Sequence, residues 1–93
     1  MMKIVIWGHP LHSHTHSYTN QGYYNGFKRL GHEVYWFHDD DYPEDFDYDN
    51  CVFLTEGFAD KNIPIRETST YFVHVCVNPK KYLGKVKKLI DVR

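Results

Sequence analysis

A chain of 93 residues has room for one domain with a modest hydrophobic core, which excludes most complete enzymes of the larger α/β classes. Its content of 42% hydrophobic and 25% charged residues is typical of a globular domain and excludes a disordered tail. The net charge of −1 argues against a nucleic-acid binder that depends on a basic surface, and no apolar run approaches the ~18–20 residues of a membrane span.

The first half of the chain predicts a strand, a loop and a helix. Residues 3–7 are continuously apolar, which is typical of a central parallel strand covered on both faces. A histidine-rich loop follows over residues 9–17. A helix is predicted from about 18 to 30, because its apolar residues recur at helical spacing, and Gly31 stands where a left-handed cap belongs.

The second half of the chain predicts three further strands and a final helix. The strands cover residues 33–38, 51–55 and 70–77, all of which are rich in apolar side chains. The last helix is predicted over residues 78–90, where Pro79 suits the first turn and apolar residues recur along one face.

These elements predict a single α/β domain over residues 1–93, with a small Rossmann-like parallel sheet of about four strands flanked by helices. Right-handed crossovers give the strand order 3-2-1-4. Ligands of such sheets bind beyond the carboxyl ends of the strands, at the switch point, which this order places between strands 1 and 4. One helix on each face leaves apolar sheet exposed, so we expect either a homodimer or an amino-terminal part of a longer protein.

The histidine-rich loop is the most unusual feature, because residues 9–16 read HPLHSHTH and hold four of the seven histidines. A loop that enters a helix N-terminus offers free N–H groups and a positive dipole end, which favours a phosphate or diphosphate ligand. The expected ligand contacts in this region are Gly8, Ser13, His14, Ser17, Thr19 and Asn20. The alternative is a polar surface loop that caps the helix. The GxGxxG and Walker signatures of nucleotide sites are absent.

A metal is a second interpretation of the same loop. His12, His14 and His16 alternate, so an extended loop places them on one side, where three imidazoles suit Zn²⁺. The fragment 11–15 resembles the opening motif of PHP-type metal phosphoesterases. The other histidines lack the spacing of the further ligands that this family needs, so we expect no metal, with this zinc site as the alternative.

Three further residues complete the candidate site. Glu56 is the carboxylate whose position invites an acid–base role, although a strand-end Glu is often a surface residue. His74 lies alone in an apolar strand, which is typical of a buried, hydrogen-bonded imidazole. With Asn78, it belongs to the predicted ligand-binding edge.

The segment 3–37 resembles the first β-α-β unit of GT-B glycosyltransferases, including the string GHEV at residues 31–34. The segments 53–57, 60–66 and 71–76 are similar to a poorly characterised group of glycosyltransferase-like proteins of viruses and marine microbes. The resemblance covers the amino-terminal half of such an enzyme. It implies a transferase-type domain that contacts the acceptor, binds a sugar or nucleotide sugar and is not catalytic by itself.

The same resemblance implies roles for the candidate residues. It implies that four residues line the ligand pocket, namely His9, His12, His14 and Glu56. Glycosyl transfer needs a base for the acceptor hydroxyl, and His9 or His12 is the candidate base, oriented by Glu56. No cofactor is expected under this interpretation.

Two alternatives from other classes stay open. The segment 6–10, followed by hydroxyl residues and Asn20, resembles the loop that cradles the flavin phosphate in flavodoxin-like quinone reductases, which implies FMN. The alternating acidic and aromatic residues of 42–48 favour a non-enzymatic domain that dimerises.

Cysteines and charge distribution add two expectations. The apolar start of the chain is too short for a signal peptide, so Cys51 and Cys76 are interpreted as reduced, buried thiols of a cytoplasmic protein. Residues 39–49 hold seven of the twelve acidic residues, and residues 80–93 hold six of the eleven Lys and Arg. Pairing of the two segments is one option, but two solvated surfaces are expected.

Overall fold

The computed structural model describes residues 1–93 as five strands, one α-helix and one turn of 3-10 helix. In chain order these are β1 (Lys3–Trp7), α1 (His16–Arg29), β2 (Glu33–Phe37), β3 (Cys51–Glu56), β4 (Thr70–His74), the 3-10 turn (Pro79–Lys81) and β5 (Lys88–Val92). All five strands are parallel and form one sheet in the order β2-β1-β3-β4-β5.

The predicted parallel α/β architecture is confirmed, but the predicted strand count and the order 3-2-1-4 are wrong. β3 pairs with the free edge of β1 rather than with β2, so β1 has a neighbour on both sides. The burial of the two strands agrees with a central position for β1 and an edge position for β2. Residues 4–7 of β1 are at most 1% exposed, whereas β2 begins at the exposed Glu33 and is only half-buried from Tyr35 onward.

The predicted final helix is wrong, because only the turn at Pro79–Lys81 is helical and β5 takes the last part of the segment. Gly84 has a φ of +76°, a left-handed conformation that ends any helix. Leu89 and Ile90 then lie beside Tyr71 and Phe72 in the parallel register. The fifth strand satisfies the backbone groups along the edge of β4, which a helix would leave unpaired.

One face of the sheet carries the main core and has no helix. Trp7, Phe53 and Tyr71 are fully buried there, and Phe53 stacks on Tyr71 with ring centroids 4.5 Å apart. Each connection after β2, β3 and β4 adds buried side chains to this core, among them Tyr48 and Tyr82. Aromatic side chains on loops therefore replace the helices that cover both faces of most parallel sheets.

The other face is covered over only part of its width. α1 packs on β1 and β2, where Ile4, Ile6 and Val34 form a small buried cluster. Leu54, Phe72 and Ile90 continue the same face across β3, β4 and β5, and these side chains are only half-buried. The expected exposed apolar sheet is therefore present, although the second helix on which that expectation relied is not.

Helix α1 begins two residues earlier than predicted, and Gly31 caps it in the predicted left-handed conformation, with a φ of +87°. At 14 residues it falls short of a membrane span, and no helix of the structure has the length and apolarity to cross a bilayer.

Cys51 and Cys76 are both buried and unpaired, and burial raises the pKa of the Cys51 thiol to about 11. The acidic and basic segments do not pair within the chain. Its two carboxylate–Lys/Arg ion pairs join Lys3 to Asp47 and Arg93 to Asp91.

Candidate functional site

The sheet grows in one direction from β1 to β2 and in the opposite direction from β3 through β4 to β5. The switch point, where this direction reverses, therefore lies between β1 and β3. Trp7 and Thr55 are direct neighbours in the register of these two strands. The loop after β1 and the end of β3 therefore meet at one edge. The predicted switch point between strands 1 and 4 is wrong, because β3 is the second neighbour of β1.

Glu56, the last residue of β3, is the centre of the site and is 9% exposed. His9 Nε2 lies 3.0 Å from its Oε1, and His16 Nδ1 lies 3.2 Å from its Oε2. Both carboxylate oxygens are thus occupied by imidazoles, one from the loop and one from the first turn of α1. A neutral imidazole in this position donates its N–H to the carboxylate, which leaves its other ring nitrogen as a proton acceptor.

Three more imidazoles surround this pair. His14 stacks on His9 with ring centroids 4.3 Å apart, and His14 Nδ1 accepts the backbone N–H of His16 at 3.1 Å. The His38 ring lies 6.3 Å from that of His9. His74, at the end of β4, stacks on His16 at 5.7 Å. Five histidine rings therefore form one cluster, and two of them contact the buried carboxylate directly.

His74 is exposed, so its predicted burial is wrong. The residue follows the last buried position of β4, and the face onto which it projects is the one left uncovered beyond α1. Sequence alone treats it as one more member of an apolar run, because the missing cover is a tertiary feature.

His12 lies away from the carboxylate. It is exposed, its φ is +71°, and its Nδ1 contacts the Tyr18 hydroxyl at 3.1 Å. Of the two candidate bases, the structure brings only His9 to Glu56. His12, His14 and His16 do not converge on one point; the cluster whose ligand atoms all lie within 4.8 Å of one another consists of His16, Glu56 and His74.

The hydroxyl residues of the loop hold its shape. Ser13 Oγ donates to the Pro10 carbonyl oxygen at 2.6 Å. The buried Ser17 accepts the backbone N–H of His12 at 3.2 Å. Ser13 donates its hydroxyl proton inside the loop and Ser17 is fully buried, so neither is available to a phosphate without rearrangement.

Asn20 and Gly8 fix the backbone that carries His9. The buried Asn20 donates from Nδ2 to the His9 carbonyl at 3.4 Å. A Cβ on Gly8 would stand 2.8 Å from that same nitrogen, so only glycine leaves room for the amide. These two predicted contacts therefore position the site's main imidazole.

The last two candidates lie further out. Thr19 is exposed and lines a groove beside α1 together with His16 and His74. Asn78 is exposed at the start of the 3-10 turn, makes no capping hydrogen bond through its side chain and lines neither of the grooves at the site.

Two grooves adjoin the cluster. The β2 groove, of about 530 Å³, is lined by aromatic side chains of α1 and β2 and by the polar His38 and Asp41. Gly8 and Pro10, the neighbours of His9 in the chain, also line it. The helix groove, of about 350 Å³, runs between α1 and the uncovered face of β3 to β5.

Sequence reasoning missed His16 as a partner of Glu56 and did not include His38. The available signal for His16 is its place at the boundary between the loop and the helix, directly beyond the switch point. Comparisons of the chain with protein-family models, with curated proteins and with solved structures found no match. Function therefore has to be inferred from the chemistry of the site.

Proposed function

We propose that this chain is a carbohydrate-binding domain of the glycosyltransferase type, which holds a sugar in the β2 groove and accepts a proton from a sugar hydroxyl through His9. The observation that carries the proposal is the contact of 3.0 Å between His9 Nε2 and Glu56 Oε1. Glu56 is buried, whereas the His9 side chain is 27% exposed, so the imidazole can be reached from solvent.

A carboxylate behind an imidazole is suited to general base catalysis. It holds the ring in one tautomer and stabilises the imidazolium that forms when the proton is taken up. With the Nε2–H of His9 directed at Glu56, Nδ1 is the nitrogen that accepts the proton of the hydroxyl. Activation of an acceptor hydroxyl is the step that glycosyl transfer requires from such a base.

The β2 groove has the composition of a sugar site. Aromatic rings offer flat apolar surfaces, and a few polar groups fix orientation. Trp36 lines the groove, and its indole N–H is buried without a hydrogen-bond partner. A buried donor of this kind calls for an acceptor, and a ligand hydroxyl would supply one if the ring shifted to open its N–H to the groove.

Binding, rather than turnover, is the activity proposed for the chain by itself. Transfer needs a second partner that holds the activated donor, and the site described here supplies only the base and the groove. The sugar in the β2 groove is accordingly the acceptor.

The test is a titration of the isotopically labelled chain with monosaccharides and nucleotide sugars, followed by NMR. We expect shifts of the His9 imidazole and of the β2 amides at millimolar sugar. His9→Ala and Trp36→Phe should weaken binding, whereas the matched loop variant His12→Ala should not. If no sugar shifts these signals, or if His12→Ala weakens binding as much as His9→Ala, the proposal is wrong.

FMN binding is the second candidate, because one observation favours it. The order β2-β1-β3-β4-β5 is that of flavodoxin-like sheets, which hold FMN at the switch point between β1 and β3. FMN ranks below the sugar because Ser13 donates its hydroxyl proton within the loop and Ser17 is fully buried, so neither side chain is available to the flavin phosphate. Adding the chain to FMN and recording the flavin fluorescence distinguishes the two, since unchanged fluorescence rejects flavin binding.

A further inference from the structure

The second oxygen of Glu56 belongs to a different group of side chains from the first. Oε2 faces His16, whose ring stacks on that of His74. One ligand atom each from His16, Glu56 and His74 lies within 4.8 Å of the other two. We propose that these three residues bind a divalent transition-metal ion of the Zn²⁺ class.

The three ligands come from three different elements, each fixed by the fold. His16 begins α1, Glu56 ends β3 and His74 ends β4. Glu56 and His74 are direct partners in the parallel register, so their side chains project side by side from the same face. α1 packs over the neighbouring strands of that face and brings His16 to them. A site built on rigid elements needs little reorganisation to bind an ion.

The ligand types select the class of metal. Two imidazoles and one carboxylate form the His₂Glu set of catalytic zinc sites, in which a fourth position stays open for water or substrate. Mg²⁺ and Ca²⁺ prefer an all-oxygen shell, which this cluster does not offer. Imidazole ligands suit Zn²⁺, Co²⁺, Ni²⁺ and Cu²⁺.

The surroundings of Glu56 have the features of an outer ligand shell. The N–H of His9 at Oε1 orients the carboxylate, and such outer contacts contribute to metal affinity. Oε2 contacts only His16, itself a proposed ligand, and the proton between them is released when the ion binds. A carboxylate that is only 9% exposed is costly to bury unless a positive charge compensates it. The positive end of the α1 dipole opposes a cation here, and the charge of Glu56 offsets it.

The backbone beside His74 has an unusual conformation. Val75, which follows it directly, has a φ of +55°, a left-handed conformation that is an outlier for a β-branched residue. Strained conformations of this kind cluster at ligand sites, where the fold holds a side chain in a required place. The turn at Val75 sets the end of β4, and with it the position of His74.

The proposal concerns a different oxygen and a different groove from the proposed sugar site, and it does not depend on sugar binding. The test uses the untagged chain, freed of metal with a chelator. Co²⁺ is titrated in and followed by its visible absorption, Zn²⁺ is then added as a competitor, and native mass spectrometry gives the stoichiometry. We expect one ion per chain and an absorption spectrum typical of four-coordinate Co²⁺.

His74→Ala is the decisive variant, because His74 is exposed and its loss should leave the fold intact. We expect it to weaken Co²⁺ binding by more than ~10-fold, with His16→Ala and Glu56→Gln acting in the same direction. His12→Ala is the matched control, an exposed histidine of the same loop that lies outside the cluster, and it should bind as the unaltered chain does.

Any of three outcomes overturns the proposal. The first is the absence of a stoichiometric Co²⁺ or Zn²⁺ complex. The second is binding that survives His74→Ala, and the third is an equal loss of binding in His12→Ala, because in either case the ion would be held by residues other than the cluster. Repeating the sugar titration in chelator keeps the two proposals separate, since a sugar complex there shows that the sugar site works without metal.

Discussion

Gly57 lies against the backbone of Val75 so closely that no side chain fits between them. A Cβ on Gly57 would meet the Val75 carbonyl oxygen and would stand 3.0 Å from the Val77 nitrogen. The Gly57 N–H also donates to the His74 carbonyl at 2.9 Å. This contact joins the ends of β3 and β4, and therefore holds Glu56 and His74 in register at the candidate site.

Gly57→Ala is therefore expected to destabilise the chain by at least about 1–3 kcal/mol, because the backbone must move to admit the methyl group. Gly22→Ala is the matched control, since a Cβ at that helical position meets nothing within 4 Å. It should stabilise the chain by about 0.5–1 kcal/mol, the difference between Ala and Gly in a helix interior. Urea unfolding measures the stability of both variants. Equal effects would contradict the close contact between Gly57 and Val75.

Asp60 and Tyr82 form a buried pair in which the tyrosine hydroxyl donates to the carboxylate. Burial and this hydrogen bond raise the pKa of Tyr82. Tyr82→Phe leaves the carboxylate without that donor, so we expect the free energy of unfolding to fall by about 1–3 kcal/mol. Tyr18→Phe removes a hydroxyl that contacts only the exposed His12. This variant should change the free energy of unfolding by less than about 0.5 kcal/mol. A similar fall in the free energy of unfolding in both variants would show that the buried Asp60–Tyr82 hydrogen bond does not stabilise the fold more than the exposed contact does.

Alkaline pH is expected to destabilise the chain. Burial raises the pKa of Cys51 to about 11 and the pKa values of Tyr48 and Tyr71 to about 12, from ordinary values of 9.0 and 10.0. Above pH 9 the unfolded chain therefore loses protons that the folded chain keeps, so the free energy of unfolding falls as pH rises. The stabilisation is fully present below pH 9 and is lost progressively up to about pH 12.

The ultraviolet absorption of tyrosinate checks this directly. Tyr48, Tyr71 and Tyr82, three of the eight tyrosines, should ionise only together with unfolding. Ionisation of these three rings before the circular-dichroism signal is lost would contradict their buried positions.

The hydrogen bonds of Glu56 predict opposite tautomers for its two partners. His9 should carry its proton on Nε2 and His16 on Nδ1, because these nitrogens face the carboxylate oxygens. Nitrogen-15 chemical shifts of the imidazoles report this directly. Glu56→Gln should keep the preference at one ring and reverse it at the other, because its amide offers one acceptor oxygen and one donor NH₂ group, and it should leave His12, which contacts Tyr18, unchanged. The same tautomer at His9 and His16 would contradict the shared carboxylate.

Much of the local structure was predictable because buried strands and helices show runs or periods of apolar residues over a few neighbouring positions. The first strand matches its predicted bounds, and Gly31 caps the helix as expected. The same reasoning failed over residues 78–90, where apolar side chains fit either a helix face or a turn followed by a strand. Gly84 was the available signal against the helix, but the deciding term is the unpaired edge of β4, which lies outside the segment.

The candidate site was predictable only in outline. Its place at the carboxyl edge of a parallel sheet, and the pairing of a loop histidine with Glu56, follow from strand polarity and residue type. Which histidine pairs was not predictable. The loop conformation, fixed by Ser13, Ser17 and Asn20, turns His9 inward and His12 outward.

By itself, the sequence determined the strands β1 to β4, the helix and the parallel α/β class, because runs and periods of apolar residues act over a few neighbouring positions. Only the tertiary structure decided the strand order, the fifth strand and the partners of Glu56, because these depend on competition between distant segments for the same edges and faces. β3 takes the free edge of β1, and α1 covers only two strands. Those two outcomes bring His9, His16 and His74 around one carboxylate from three separate parts of the chain.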